Sequence, residues 1–152
     1  MLPASGSQLN MTLLPIYNIL SGTAKEIPPK IGSGGYVDVR DVATIHLWAY
    51  ENPEKANGER YIASAGYGPP QGGADILRKK YEGTKIAEKI LVGVPGAGYI
   101  GYNKETGEVA NVEYPPENAR PNGKKAEKAA GIKYIPFTQS VIDTAVAMEP
   151  LL

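Results

Sequence analysis

The chain has 152 residues, with 16 Lys and Arg against 16 Asp and Glu, 42% apolar residues, one histidine and no cysteine. That length favours one domain, and the zero net charge gives no electrostatic reason to expect nucleic acid or an anionic membrane as partner. The missing thiols exclude a disulfide framework, a thiol nucleophile and a Cys-ligated metal, and a single histidine, His46, excludes a His-rich metal site.

The segment Met1–Leu20 has no basic start and is interrupted by Pro3 and Pro15, so it reads poorly as a signal peptide. Asn10-Met11-Thr12 spells a glycosylation sequon, which matters only in a secreted chain. No apolar run reaches the roughly 18 residues that span a bilayer. Together with the absence of cysteine, this fits a cytoplasmic protein. Gly (18) and Pro (13) cluster in 28–35, 66–73, 93–101 and 115–123, dividing the chain into small elements joined by long loops.

In chain order, Leu9, Leu13, Ile16, Tyr17 and Leu20 share one face of a helix over 8–21. Asn10 is placed to cap it, and Pro15 must sit in a first turn or make a kink. Residues 27–35 read as irregular chain. Tyr36–Val39 alternates like a short strand, and Asp41 suits the N-cap of a helix over Val42–Glu51. Val42, Ile45, Leu47, Trp48 and Ala49 leave that helix little polar surface, which predicts deep burial and a half-buried, satisfied His46. Asn52-Pro53 ends it, Asn57-Gly58 is a turn, and Arg60–Ser64 reads as a second strand. Ala74–Tyr81 is a short amphipathic helix. The apolar Ile90–Val92 within 86–94 reads as strand or extended chain, and 95–122 as loop. Lys124–Ala130 is a helix capped by Gly131, Ile132–Ile135 is extended, and Thr138 caps a last helix carrying Val141, Ile142, Ala145, Val146 and Met148.

Two catalytic-looking motifs fail on geometry. Tyr81-Glu-Gly-Thr-Lys85 spells Tyr-x-x-x-Lys, but Gly83 stands between side chains that would have to share a helix face. Gly96-Ala-Gly-Tyr-Ile-Gly101 spells a dinucleotide fingerprint, but turn residues follow it instead of a helix, and Glu117 at the expected acidic spacing has no strand before it. A loop lining a cleft is the better reading of 95–102, with Tyr99 and Tyr102 as candidate walls. Tyr17 and Trp48 are further wall candidates, with ordinary core packing the better reading of Trp48.

Three segments in this order carry a resemblance: Gly34-Gly-Tyr-Val-Asp-Val-Arg-Asp-Val-Ala43, running on to Glu51-Asn-Pro53; Gly58-Glu-Arg-Tyr-Ile62; and Lys124-Lys125 through Gly131-Ile-Lys-Tyr134 to Ser140-Val-Ile-Asp-Thr-Ala145. Leu9–Leu13 and the Pro-Gly-x-Gly of 95–98 agree with it. The chain resembles the C-terminal, substrate-side part of an extended short-chain dehydrogenase/reductase. It is most similar to the fungal NADPH-dependent aldehyde and ketone reductases of the methylglyoxal type. The implied fold is α/β, an incomplete Rossmann type, helix-rich with a few short strands and long loops, in which Arg60–Ser64 would add to the Rossmann sheet.

The resemblance implies one unit over 1–152 with the NADP-binding Rossmann part absent. The glycine-rich nucleotide turn, the catalytic Ser and the true Tyr-x-x-x-Lys would lie upstream. It implies an oxidoreductase family using NADP on small carbonyl substrates, with this part not catalytic alone. The alternative is a stand-alone binding or scaffold module that associates with a full-length dehydrogenase, its protein partner supplying the Rossmann half. By resemblance Asn10 and Thr12 are the cofactor-side candidates. Leu13, Tyr17, Tyr99 and Tyr102 are the substrate-side ones. Asp38 and Arg40 are expected to form a buried ion pair with an architectural role.

Overall fold

The computed structural model describes residues 6–27, 35–113 and 121–152, so the irregular stretch expected over 28–34 and the part of the loop at 114–120, Glu117 included, lie outside the described residues. A 3-10 turn at Gly6–Gln8 leads to helix α1, Leu14–Ser21, which starts later than the periodicity predicts. Pro15 sits in its first turn, where the missing N–H has no partner to lose, and Gly22 closes it at φ 76°.

The chain then enters β1, Gly35–Tyr36, and α2, Val39–Glu51. The strand expected to reach Val39 stops early because Asp38, not Asp41, caps α2: its extended backbone lets the carboxylate accept from Arg40 N. Asp41, inside the first turn, instead accepts from the Ile135 N–H at 3.0 Å. Arg40 forks onto Asp38 through Nε and Nη2, both at 2.9 Å, and reaches Asp143 at 2.8 Å. The pair is buried only on the Asp38 side, since the Arg40 side chain is half exposed. Tyr36 donates to the Ile135 carbonyl, 2.9 Å away. These bonds tie the start of α2 to the chain around 135–143.

The expected deep burial of α2 is not found. Only Asp41 and Ile45 are buried, while Val39, Leu47 and Tyr50 are 77%, 55% and 84% exposed. His46 is exposed too, its Nδ1 2.8 Å from the Val42 carbonyl. Apolar periodicity marks a surface that seeks cover, and among the described residues the main partners of α2 are α6 and the adjoining α3. Trp48 is half-buried, edge-on to Tyr61 with ring centroids 5.1 Å apart. After α3, Pro53–Ala56, comes the expected turn, with Gly58 at φ 78°. Arg60–Ser64 makes no strand ladder among the described residues. The pairing falls two residues later, where β2, Gly66–Tyr67, runs antiparallel to β1. Alternation marks extended chain, but a ladder also needs a neighbouring edge.

Helix α4, Pro70–Lys80, begins four residues before the expected Ala74. Pro70 is tolerated at its first position, and Gly72 and Gly73, read as loop, are helical, with neighbours packed close against them. Tyr99 and Phe137 approach Gly72, and Ile16 approaches Gly73. Of the stretch 86–94, the first residues fall in α5, Lys85–Lys89, while Ile90–Val92 lies outside helix and strand ladder, Ile90 being extended and buried. The loop expected over 95–122 contains a hairpin, β3 Ile100–Tyr102 with β4 Val109–Glu113. Helix α6, Lys124–Ala130, ends as expected on Gly131 at φ 65°. Helix α7, Phe137–Met148, starts after Pro136, and Thr138 does not cap it but donates to the Ala110 carbonyl at 3.2 Å. A 3-10 turn, Glu149–Leu151, follows α7.

The core lies where α1, α4 and α7 meet, with Leu20, Leu77, Ala145 and Met148 fully covered. Tyr67 and Tyr99 form a second, smaller cluster against the hairpin. Gly101, at φ 114°, lets β3 approach β4 so closely that a Cβ there would collide with the Asn111 carbonyl. Gly101→Ala is therefore expected to lower stability in urea by more than about 1 kcal/mol. Gly83→Ala, at φ 78° but in open space, is the control for a positive φ without a collision.

Candidate functional site

The residues expected to face ligands fall in two groups, one at the start of α1 and one in the chain after α5. On the α1 side, Asn10 and Thr12 are exposed and engaged with each other, Thr12 Oγ1 donating to Asn10 Oδ1 at 2.7 Å. Asn10 Oδ1 also accepts from the Leu13 N–H at 3.1 Å, so it organises the turn that opens α1. Leu13 is half-buried against the core. Tyr17 lays its ring over Gly6 and donates to the Leu151 carbonyl at 3.2 Å, tying Gly6 and α1 to the 3-10 turn Glu149–Leu151. Beside them a largely apolar cleft of about 380 Å³ is lined by Met11, Leu14, Pro15, Asn18 and Pro70.

The second group is the loop after α5. Tyr99 is buried and donates to Asp75 Oδ2 at 2.7 Å. Burial, and then the bond to this carboxylate, pushes its hydroxyl pKa well above the usual tyrosine range. Tyr102 is half-buried with its ring against Gly96. It also lines a polar cleft of about 370 Å³ with Asp75, Arg78, Thr84 and Thr106. Met11 and Leu14 thus face one cleft and Tyr102 another, while Tyr99 is a packing residue whose hydroxyl is already committed.

Two residues that sequence reasoning missed organise this region. Gln71 and Asp75, one turn apart on α4, are 8% and 3% exposed. Gln71 Nε2 donates to Asp75 Oδ1 at 2.8 Å and to the Val92 carbonyl at 2.9 Å, and Gln71 Oε1 accepts from the Val94 N–H at 3.1 Å. Asp75 Oδ2 accepts from the Gly96 N–H at 2.8 Å as well as from Tyr99. The signal was present as a polar i, i+4 pair inside the otherwise small and apolar Pro70–Leu77.

The Tyr-x-x-x-Lys look-alike is split by the fold. Tyr81 closes α4, Gly83 turns at φ 78°, and Lys85 opens α5. Tyr81 donates to Glu149 Oε1 at 2.7 Å, and burial followed by that carboxylate raises its pKa, the opposite of what proton delivery requires. The glycine-rich 96–101 turns into β3, so no helix N-terminus stands behind it. Among the described residues no group of three or more His, Asp or Glu comes together as a metal site, and no helix is long and apolar enough to cross a membrane.

No family model matches the chain. The NADPH-dependent methylglyoxal reductase GRE2 of Saccharomyces cerevisiae is 33% identical over 112 residues, 74% of this chain and 28% of that protein. An oxidoreductase of the same yeast, YGL039W, is 31% identical over 113 residues, again 74% and 28%. Cinnamoyl-CoA reductase CAD2 of Medicago truncatula is 32% identical over 110 residues, 71% and 32%. The crystal structure of the yeast methylglyoxal/isovaleraldehyde reductase Gre2 complexed with NADPH superposes with a TM-score of 0.68 at 26% identity, over 97% of this chain and 43% of that one. The chain belongs to the extended short-chain dehydrogenase/reductase family. It spans less than a third of the length of the curated relatives it matches.

NADPH is the cofactor of this reductase family, and the described residues do not form a cradle for its pyrophosphate. The glycine-rich turn opens no helix, and Asn10 and Thr12 hydrogen-bond to each other at the surface. The helix-rich, sparsely stranded part of a Rossmann-type reductase that the resemblance implies is the architecture found.

Proposed function

We propose that this chain is the substrate-side part of an NADPH-dependent aldehyde or ketone reductase, supplying the walls of the carbonyl pocket and not the proton donor or the nucleotide grip. The observation that carries this reading is the superposition of nearly the whole chain on 43% of an NADPH-bound carbonyl reductase. The unit over 1–152 is then the C-terminal substrate-binding part. The nucleotide-binding body lies elsewhere, on the same polypeptide or on a partner chain. The exposed apolar side chains Val39, Leu47 and Tyr50 on α2, with Ile62 near half exposed, support a further body packing there, since exposed apolar surface favours association. A cytoplasmic location belongs to the same reading.

In this reading Asn10 and Thr12 stand on the cofactor side, where the small polar side chains can meet a nucleotide held by the other body. Leu13, Tyr17 and the α1 cleft form one wall. The loop carrying Tyr99 and Tyr102 forms the other. The test is a chimera of the yeast methylglyoxal reductase that takes residues 6–22 and 94–102 of this chain at the matching positions. The expected result is a shift of about tenfold in the ratio of kcat/KM for methylglyoxal over isovaleraldehyde, since pocket walls act on differential transition-state binding. The KM for NADPH should stay within about twofold. A chimera with unchanged substrate preference, or one that loses NADPH affinity instead, counts against the proposal.

A further inference from the structure

From the buried pair on α4 we infer that Gln71 and Asp75 are positioning residues for the loop 92–99, and that they set substrate choice through that loop. The inference rests on the pocket-wall role given to this loop in the preceding reading. Gln71 acts as a substitute peptide group. Its amide donates to the Val92 carbonyl and accepts from the Val94 N–H, the two bonds a neighbouring strand would make. Gly93 lies between those partners at φ 57°, and a Cβ there would collide with Gln71 Oε1. The close approach therefore requires both the glycine and the glutamine.

That pairing fixes which way the Gln71 amide faces, so its second N–H can only point at Asp75 Oδ1. Asp75 is thereby committed as a pure acceptor. Its other oxygen takes the Gly96 N–H and the Tyr99 O–H. Gly96, at φ 75°, lies so close to the Tyr102 ring that a Cβ would stand 2.6 Å from it. One amide and one carboxylate thus hold the turn at Pro95-Gly96, the Tyr99 ring and, through Gly96, the Tyr102 ring. The loop contributes no regular element before Ile100, so this latch is what fixes its path.

An Asn at position 75 cannot replace the carboxylate. If its oxygen meets Gly96 and Tyr99, its amide faces the Gln71 amide, donor against donor. If it is flipped, the loop loses its acceptor.

The experiment has two arms. In the 152-residue chain, amide hydrogen exchange is followed at Val94 and Gly96, with the α7 amides as a control for global folding. Asp75→Asn is expected to lower protection at Gly96 by at least about tenfold while α7 stays protected. Tyr99→Phe, which removes one donor and keeps the ring, should lower it less. In a chimera in which this chain replaces the matching part of the yeast methylglyoxal reductase, Asp75→Asn and Gln71→Glu are expected to change the kcat/KM ratio of methylglyoxal to isovaleraldehyde about fivefold, with the KM for NADPH unchanged.

Unchanged protection at Gly96 in Asp75→Asn overturns the latch. A loosened loop with an unchanged substrate ratio overturns its role in substrate choice. If the parent chimera reduces neither aldehyde, the carbonyl-pocket reading fails and the role in substrate choice falls with it, while the exchange arm still judges the latch by itself.

Discussion

Leu77→Ala is expected to lower the unfolding free energy of the chain by about 2–5 kcal/mol, read from urea unfolding followed by circular dichroism. Leu77 is fully buried on α4, in the cluster that also holds Leu20 of α1 and Ala145 and Met148 of α7. Three elements meet there, so truncation opens a hole that no single side chain can fill by rotating. Among the described residues each sheet has two strands and the larger core cluster centres on this three-helix junction, which leaves little reserve against such a loss. Leu47→Ala is the contrasting variant: Leu47 is equally apolar but 55% exposed, and its loss should change stability by less than about 0.5 kcal/mol. Equal effects at the two positions would mean that the core lies elsewhere.

The contrast between Leu77 and Leu47 also marks what could be read from the sequence. Periodicity identified helices around Leu9–Leu20, Val42–Glu51 and Val141–Met148, helix-forming residues identified Lys124–Ala130, and local chemistry put Gly131 and Pro15 in their places. It could not tell a covered apolar face from an uncovered one, because burial depends on what else is in the fold. The same limit misplaced Arg60–Ser64, whose extended chain has no strand edge beside it among these residues, and Gly72-Gly73, which are helical with Ile16, Tyr99 and Phe137 packed close by. The family resemblance came through because Tyr36, Asp38, Arg40 and Asp41 keep a pattern that spatial contacts enforce. Gln71 and Asp75 stayed hidden because their partners, Val92, Val94, Gly96 and Tyr99, are about twenty residues away and mostly backbone.

That enforced pattern gives the second large effect. Asp38→Ala removes the α2 cap and leaves Arg40 with Asp143 alone, and should lower stability by about 2–3 kcal/mol at neutral pH. Asp38→Asn keeps an acceptor for the Arg40 N–H and should lose less, since only the charge is removed. The Arg40 hydrogen bonds hold the Asp38 carboxyl at about 2, below its ordinary 3.8, and outweigh the burial that acts the other way. A carboxylate whose pKa is lower in the folded state stabilises above its unfolded value and ceases to do so as pH falls through its folded one. The gap from 3.8 to about 2 amounts to roughly 2 kcal/mol once screening of the half-exposed Arg40 is allowed for. The stability difference between the parent chain and Asp38→Asn should therefore be full above about pH 4 and shrink steadily toward pH 2. Urea unfolding at pH 7, 4, 3 and 2 measures it. If parent and variant lose stability in parallel over that range, Asp38 is not the charged member of this pair, and the cap alone explains its place in the pattern.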